Sequence, residues 1–154
     1  MTRYAHGTQV DTGRSRLEIE HTLERFGATG QAWMRDDEQH RVVVAFKRSG
    51  RTYRFTLNIP GVEEFRETPK GVYTRTDKVM HEAHDAEIRR RFRSLANYIK
   101  AMLDAIDTGI IEADAVLLPF LLLPSGATVY EEAQEQLRVL GTVDLSRALT
   151  AGQP

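Results

Sequence analysis

The stretch "HEAHD", residues 81–85, places Glu82 between His81 and His84. Helical zinc hydrolases use a related pattern, in which two histidines four apart meet one ion and the glutamate between them acts as general base. Here the histidines are three apart and no third ligand lies near in sequence. The pattern therefore reads as the solvated opening turns of a helix rather than a metal centre. Carboxylates cluster at Asp36-Asp37-Glu38 and at Glu131-Glu132, the residue type that general acid–base chemistry uses. The first cluster sits in a hairpin loop. The second sits in the first turn of a helix, where the dipole favours negative charge. Ser15 and Ser125 fit a helix cap and a turn, and no phosphate-binding loop, dinucleotide fingerprint or nucleophile elbow is present. The chain has no cysteine, which removes disulfides, zinc thiolates and thiol nucleophiles together and fits a reducing cytosol. These features predict a non-enzymatic protein that needs no cofactor.

The other chemistry within reach is anion binding. The segment "RRRFRSLANYIKAMLDAI", residues 89–106, opens with four arginines in five positions. On a helical wheel Arg89 and Arg91 flank the apolar stripe, and Arg90 and Arg93 lie opposite it. Asp85 is four residues before Arg89 and Glu87 four before Arg91, the favourable acid-then-base order. Arg90 and Arg93 have no acid four residues away, so these two are the expected phosphate contacts. Upstream, Lys47, Arg51 and Arg54 fall on or beside two adjacent strands, with Arg41 and Arg48 near them. Basic residues interleaved with aromatics on a sheet suit single-stranded nucleic acid, because charges follow phosphates while rings stack on bases. Trp33, the only tryptophan, is either a core residue or a stacking platform. Parity argues against an all-aromatic binding face, since Tyr53 and Phe55 point away from Arg54. Basic edge strands also guard against aggregation.

The elements that must position these residues follow from pattern. "SRLEIEHTLERFG" predicts a first helix, with Ser15 and Glu18 as a capping box, Ile19, Leu23 and Phe26 on one buried face, and Gly27 as terminator. A short strand at "GTQV", residues 7–10, precedes it. Three strands follow over "GQAWMR" and "HRVVVAFKRSGRTYRFTLNIP", with "RSGR" as a turn. From 52 to 59 Tyr53, Phe55, Leu57 and Ile59 share one side, so one sheet face packs on helices and the other faces water. Residues 61–76 read as a long loop. A long helix runs from about Asp77 to Thr108 on Ile88, Phe92, Leu95, Ile99, Met102 and Ile106, and Gly109 stops it. A last helix starts at the capping box Thr128/Glu131 and ends at Gly141, before a frayed tail. The expected fold is α+β: a small antiparallel sheet of about three strands on helices, in one domain over 1–154. Residues 1–60 supply helix and sheet, 61–76 the loop, and 77–141 a helical part.

Charge is uneven. Residues 1–60 carry ten Lys/Arg against seven Asp/Glu, 61–109 nine of each, and 110–154 two against six. A net charge of -1 is far from that of a dedicated duplex-binding domain. The longest apolar stretch, "AVLLPFLLLP" from Ala115 to Pro124, is too short to span a bilayer, and the N-terminus has no apolar run of a secretory signal. A cytoplasmic protein without a membrane partner is expected. That apolar stretch also predicts a homodimer, because one small sheet leaves little to cover it.

Taken together, "SRLEIEHTLERFGATG", "RFRSLANYIKAMLDAIDTGI" and "LLPFLLLPSGATVYE" resemble a group of small proteins encoded by bacteriophages and prophages. In that group a capped helix ending in Gly-Ala precedes a hairpin, and an Arg-headed helix with an Ile-Lys-Ala centre is followed by a Leu-Pro-x-Gly turn. The likeness covers most of residues 15–131, and it departs at Phe92, where the group carries tryptophan. It implies a viral or mobile-element origin, hence the cytoplasm of a host cell, and no activity. The combined expectation is an accessory protein that binds single-stranded nucleic acid in preference to duplex, with Lys47, Arg51, Arg54, Arg90, Arg93 and Trp33 at the interface. The rival expectation is a protein-interaction module, either an inhibitor of a host protein or a homodimeric factor.

Overall fold

The alternation in "RVVVAFKR" and "RTYRFTLN" drives the centre of the molecule. The structure, a computed structural model, describes residues 5–140. Strands β1 (Gly30–Asp36), β2 (Arg41–Arg48) and β3 (Arg51–Asn58) form an antiparallel sheet in that order. Trp33 lies opposite Val44, and Val44 opposite Phe55; one residue along, Met34, Val43 and Thr56 form the next row. Side chains alternate across a sheet, so these two rows face opposite sides. The β2–β3 turn has positive φ at both Ser49 (51°) and Gly50 (76°), the backbone of a tight turn whose twist suits a hairpin.

The Val44–Phe55 face carries the core. Helix α1 (Ala5–Arg25) contributes Ile19 and Leu23, and helix α2 (Asp77–Asp107) contributes Ala96, Ile99, Met102 and Leu103. Ile88 and Phe92 of α2 bury a second cluster with Val42 and Ile59. Gly27 (φ 93°) and Gly109 (φ 74°) end the two helices, and the Ala28 amide donates to the Leu23 carbonyl at 3.0 Å, closing the first helix in the left-handed manner. The protein is thus α+β, a three-stranded sheet with two helices on one face. No helix among the described residues is long and apolar enough to cross a membrane.

Two local expectations fail at the front. Ser15 is not a cap: α1 begins at Ala5, so Ser15 and the "GTQV" segment both lie inside the helix. A capping box acts on amides that have no carbonyl one turn earlier. With residues 5–14 already helical, that turn exists and the box has nothing to cap. The weak helix preference of Gly7, Thr8, Thr12 and Gly13 is a modest local bias that the rest of the fold overrides.

The back half follows the pattern more closely. Thr128 caps helix α4 (Val129–Val139) with the full reciprocal box: the Glu131 amide donates to Thr128 Oγ1 at 3.3 Å and the Thr128 amide to the Glu131 carboxylate at 2.7 Å. The expected stop at Gly141 lies outside the described residues. The apolar stretch forms a short helix α3 (Ala113–Leu117) and a 3₁₀ turn (Leu118–Phe120). Leu117 is fully buried, and the Phe120 ring lies 4.4 Å from that of Phe55. Leu121 then bridges Tyr53, and the Leu122 amide donates to the Thr52 carbonyl. Much of this stretch therefore packs within the chain, along the outer edge of β3. The 61–76 loop has local order: a 3₁₀ turn at Val62–Phe65, a bridge between Glu67 and Thr74, and Arg75 donating to the Phe65 and Glu67 carbonyls.

Candidate nucleic-acid interface

The six residues expected at the interface do not share a surface. Lys47 and Arg54 lie on the open sheet face, across from the helices. Lys47 is exposed, but Arg54 is occupied: Nη1 donates to the Gly126 carbonyl at 2.9 Å and Nη2 pairs with Glu131. Arg51 pairs with Asp114 at 2.8 Å and ties β3 to α3. Trp33 points toward the helices, where it packs against both core clusters under the Arg16 guanidinium, 4.9 Å away. It is partly buried there, against the core rather than on the open face.

Arg90, expected to be without an acidic partner, is also occupied. Glu87 lies three residues before it, and Arg90 grips that carboxylate with two hydrogen bonds of 2.7 Å. Arg91 donates to the same carboxylate at 2.8 Å and to the Asn58 carbonyl at 2.6 Å. Hydrogen bonds from Arg90, then Arg91, hold the Glu87 carboxyl down at about 2. Residues three apart on a helix are neighbours just as residues four apart are, so Arg90 has an acid beside it after all.

Arg93 has a different setting. It is exposed and makes no salt bridge among the described residues. It lines a cavity of about 370 Å³ between α1 and α2, with Arg14 and Glu18 from α1 and Arg89 and Asn97 from α2. A neighbouring cavity of about 770 Å³ shares Arg14 and Glu18 and continues to His21, Arg25 and Lys100. One groove thus runs between the helices. No family model, curated protein or solved structure matches the chain. Arg14 to Arg25 and Arg89 to Lys100 each advance eleven residues, a run of about 16 Å at the helical rise. Arg14, Arg25, Arg89, Arg93 and Lys100 face two carboxylates, Glu18 and Glu24, five positive charges against two negative.

Arg14, Arg25 and Lys100 were not expected at a site. The signal existed: 14, 18, 21 and 25 recur at alternating four and three, as do 89, 93, 96 and 100. Starting the first helix at Ser15 left Arg14 outside it and broke the stripe. The two histidines of "HEAHD" part company: His81 Nδ1 meets the Asp77 carbonyl at 2.7 Å, and His84 Nε2 meets the Pro60 carbonyl at 3.1 Å.

Proposed function

We propose that the protein is a non-enzymatic accessory factor of a phage or mobile element that binds single-stranded nucleic acid along the α1–α2 groove. The observation that carries this reading is the alignment of Arg14, Arg25, Arg93 and Lys100 on two facing helix stripes, none of them held by a carboxylate among the described residues. Such cations retain their hydration and counterions, and phosphate can displace both. A groove between two packed helices is narrow, with axes about 8–10 Å apart. It suits one flexible strand better than a rigid duplex. The resemblance to phage-encoded proteins supports the origin.

The test is the salt dependence of binding to a labelled single-stranded oligonucleotide, read by fluorescence anisotropy. Each phosphate contact contributes a log–log slope of about -0.7. Arg93→Ala and Lys100→Ala should each flatten the slope by about that amount. Arg90→Ala should leave it unchanged, because Glu87 already holds that side chain. No binding at low salt would overturn the reading.

A second reading has its own observation. Leu137, Val139 and Leu140, at the end of α4, are 49%, 81% and 68% exposed, an apolar end that suits a second copy of the chain or another protein. Light scattering should then report a dimer, and Leu137→Glu should return it to a monomer.

A further inference from the structure

On the other side of the sheet from the α1–α2 groove, a cavity of about 540 Å³ opens where β3 meets the start of α4. That is within the range of small-molecule sites, about 300–1,000 Å³. Arg54 and Asn58 reach it from β3, Phe120 from the 3₁₀ turn, and Tyr130, Glu131 and Gln134 from α4. Arg54 and Glu131 form an ion pair and neutralise each other. Nη1 of Arg54 is taken by the Gly126 carbonyl. Its Nε is buried and has no hydrogen-bond partner. That atom is enclosed by protein, so the donors a ligand in the cavity can reach are the side-chain amides of Asn58 and Gln134, both exposed.

The neighbours restrict what these amides could meet. The Glu131 carboxyl is held below its ordinary range by the Thr128 amide, with Arg54 adding to the effect. The ion pair therefore stays intact and offers an entering phosphate or carboxylate no net positive charge, whereas a neutral carbonyl oxygen needs only an amide donor. The ring of Tyr130 is half exposed and that of Phe120 partly buried, so both can give apolar contact to a flat ring. The amides of Asn58 and Gln134 each offer donors and an acceptor, the complement of a heterocycle edge. We propose that this cavity binds a neutral, planar, carbonyl-bearing heterocycle of the nucleobase class, presented as a free nucleoside. The site is separate from the groove and does not depend on it.

The experiment is a titration of the full chain with uridine, guanosine, adenosine and uridine monophosphate, followed by amide chemical shifts and by calorimetry. Uridine and guanosine carry ring carbonyls and should shift amides around Arg54 and Tyr130–Gln134. Adenosine carries none and should bind about ten-fold more weakly or less. Uridine monophosphate should bind no more tightly than uridine, because the Arg54–Glu131 pair leaves no net positive charge for its phosphate. Tyr130→Ala and Gln134→Ala should each weaken uridine by about ten-fold or more. If either variant fails to fold, Asn58→Ala carries the same comparison. The absence of shifts at millimolar uridine and guanosine overturns the proposal. So does equal binding of adenosine and uridine, or uridine binding that Tyr130→Ala leaves unchanged. If Tyr130→Ala instead weakens oligonucleotide binding while free nucleosides never bind, the cavity takes a base of a strand, and the free-nucleoside assignment is wrong.

Discussion

Glu87 serves two arginines at once. Its carboxylate accepts from Arg90 and Arg91 and is held at about 2, against an ordinary 4.5. A depressed carboxyl contributes stability above its unfolded value and loses it as pH falls toward the folded one. The window here is about pH 4.5 down to 2. Glu87→Gln should cost about 0.5–1 kcal/mol at neutral pH, two exposed helical pairs' worth. Urea denaturation along a pH series should show that gap closing toward pH 2; a gap that persists there would assign the stabilisation to something other than ionisation. Phe92 stands in a different regime. It is 8% exposed and packed with Ile88, Val42 and Ile59, so Phe92→Ala should cost about 3–5 kcal/mol. An unchanged melting temperature would remove the ring from the core.

At the scale of elements, the two capping boxes make a matched pair with opposite outcomes. Thr128→Ala removes an acceptor from the first turn of α4 and should cost about 1 kcal/mol. Ser15→Ala sits inside α1 and should be neutral or stabilise by up to about 0.5 kcal/mol, the helix preference of alanine over serine. Thermal melts of the two variants distinguish these cases directly, and a destabilised Ser15→Ala would mean that α1 starts at residue 15 after all. The same comparison explains what the sequence made legible. The strands were visible because a period of two has one structural meaning once a turn such as "RSGR" bounds it. The end of α1 was visible because Gly27 takes a φ that other residues resist. The start was not, because Ser-x-x-Glu reads the same at a helix start and within a helix.

At the scale of the whole molecule, the sheet divides the surface in two. The α1–α2 groove with Arg93 lies on one side; Lys47, Arg54 and the α4 cavity lie on the other. Single-stranded DNA and uridine should therefore bind without competing. Arg93→Ala should weaken the first alone and Tyr130→Ala the second alone, which anisotropy and calorimetry on the same two variants can check. Mutual displacement would mean that one of the sites is misassigned.

From the sequence alone came the fold class, the sheet order and parity, the buried face of α2 and the cap of α4. Each rests on periodicity or on a local backbone requirement, and neighbours along the chain suffice to express these. Only the tertiary structure decided which cations are occupied. Arg51 meets Asp114, 63 residues away, and Arg54 meets Glu131, 77 residues away; a charge pair that distant leaves no trace in local spacing. The groove belongs to the same class, because it arises where a stripe on α1 meets a stripe on α2. Either stripe by itself is an ordinary solvated helix face, and their packing on one face of the sheet brings them together.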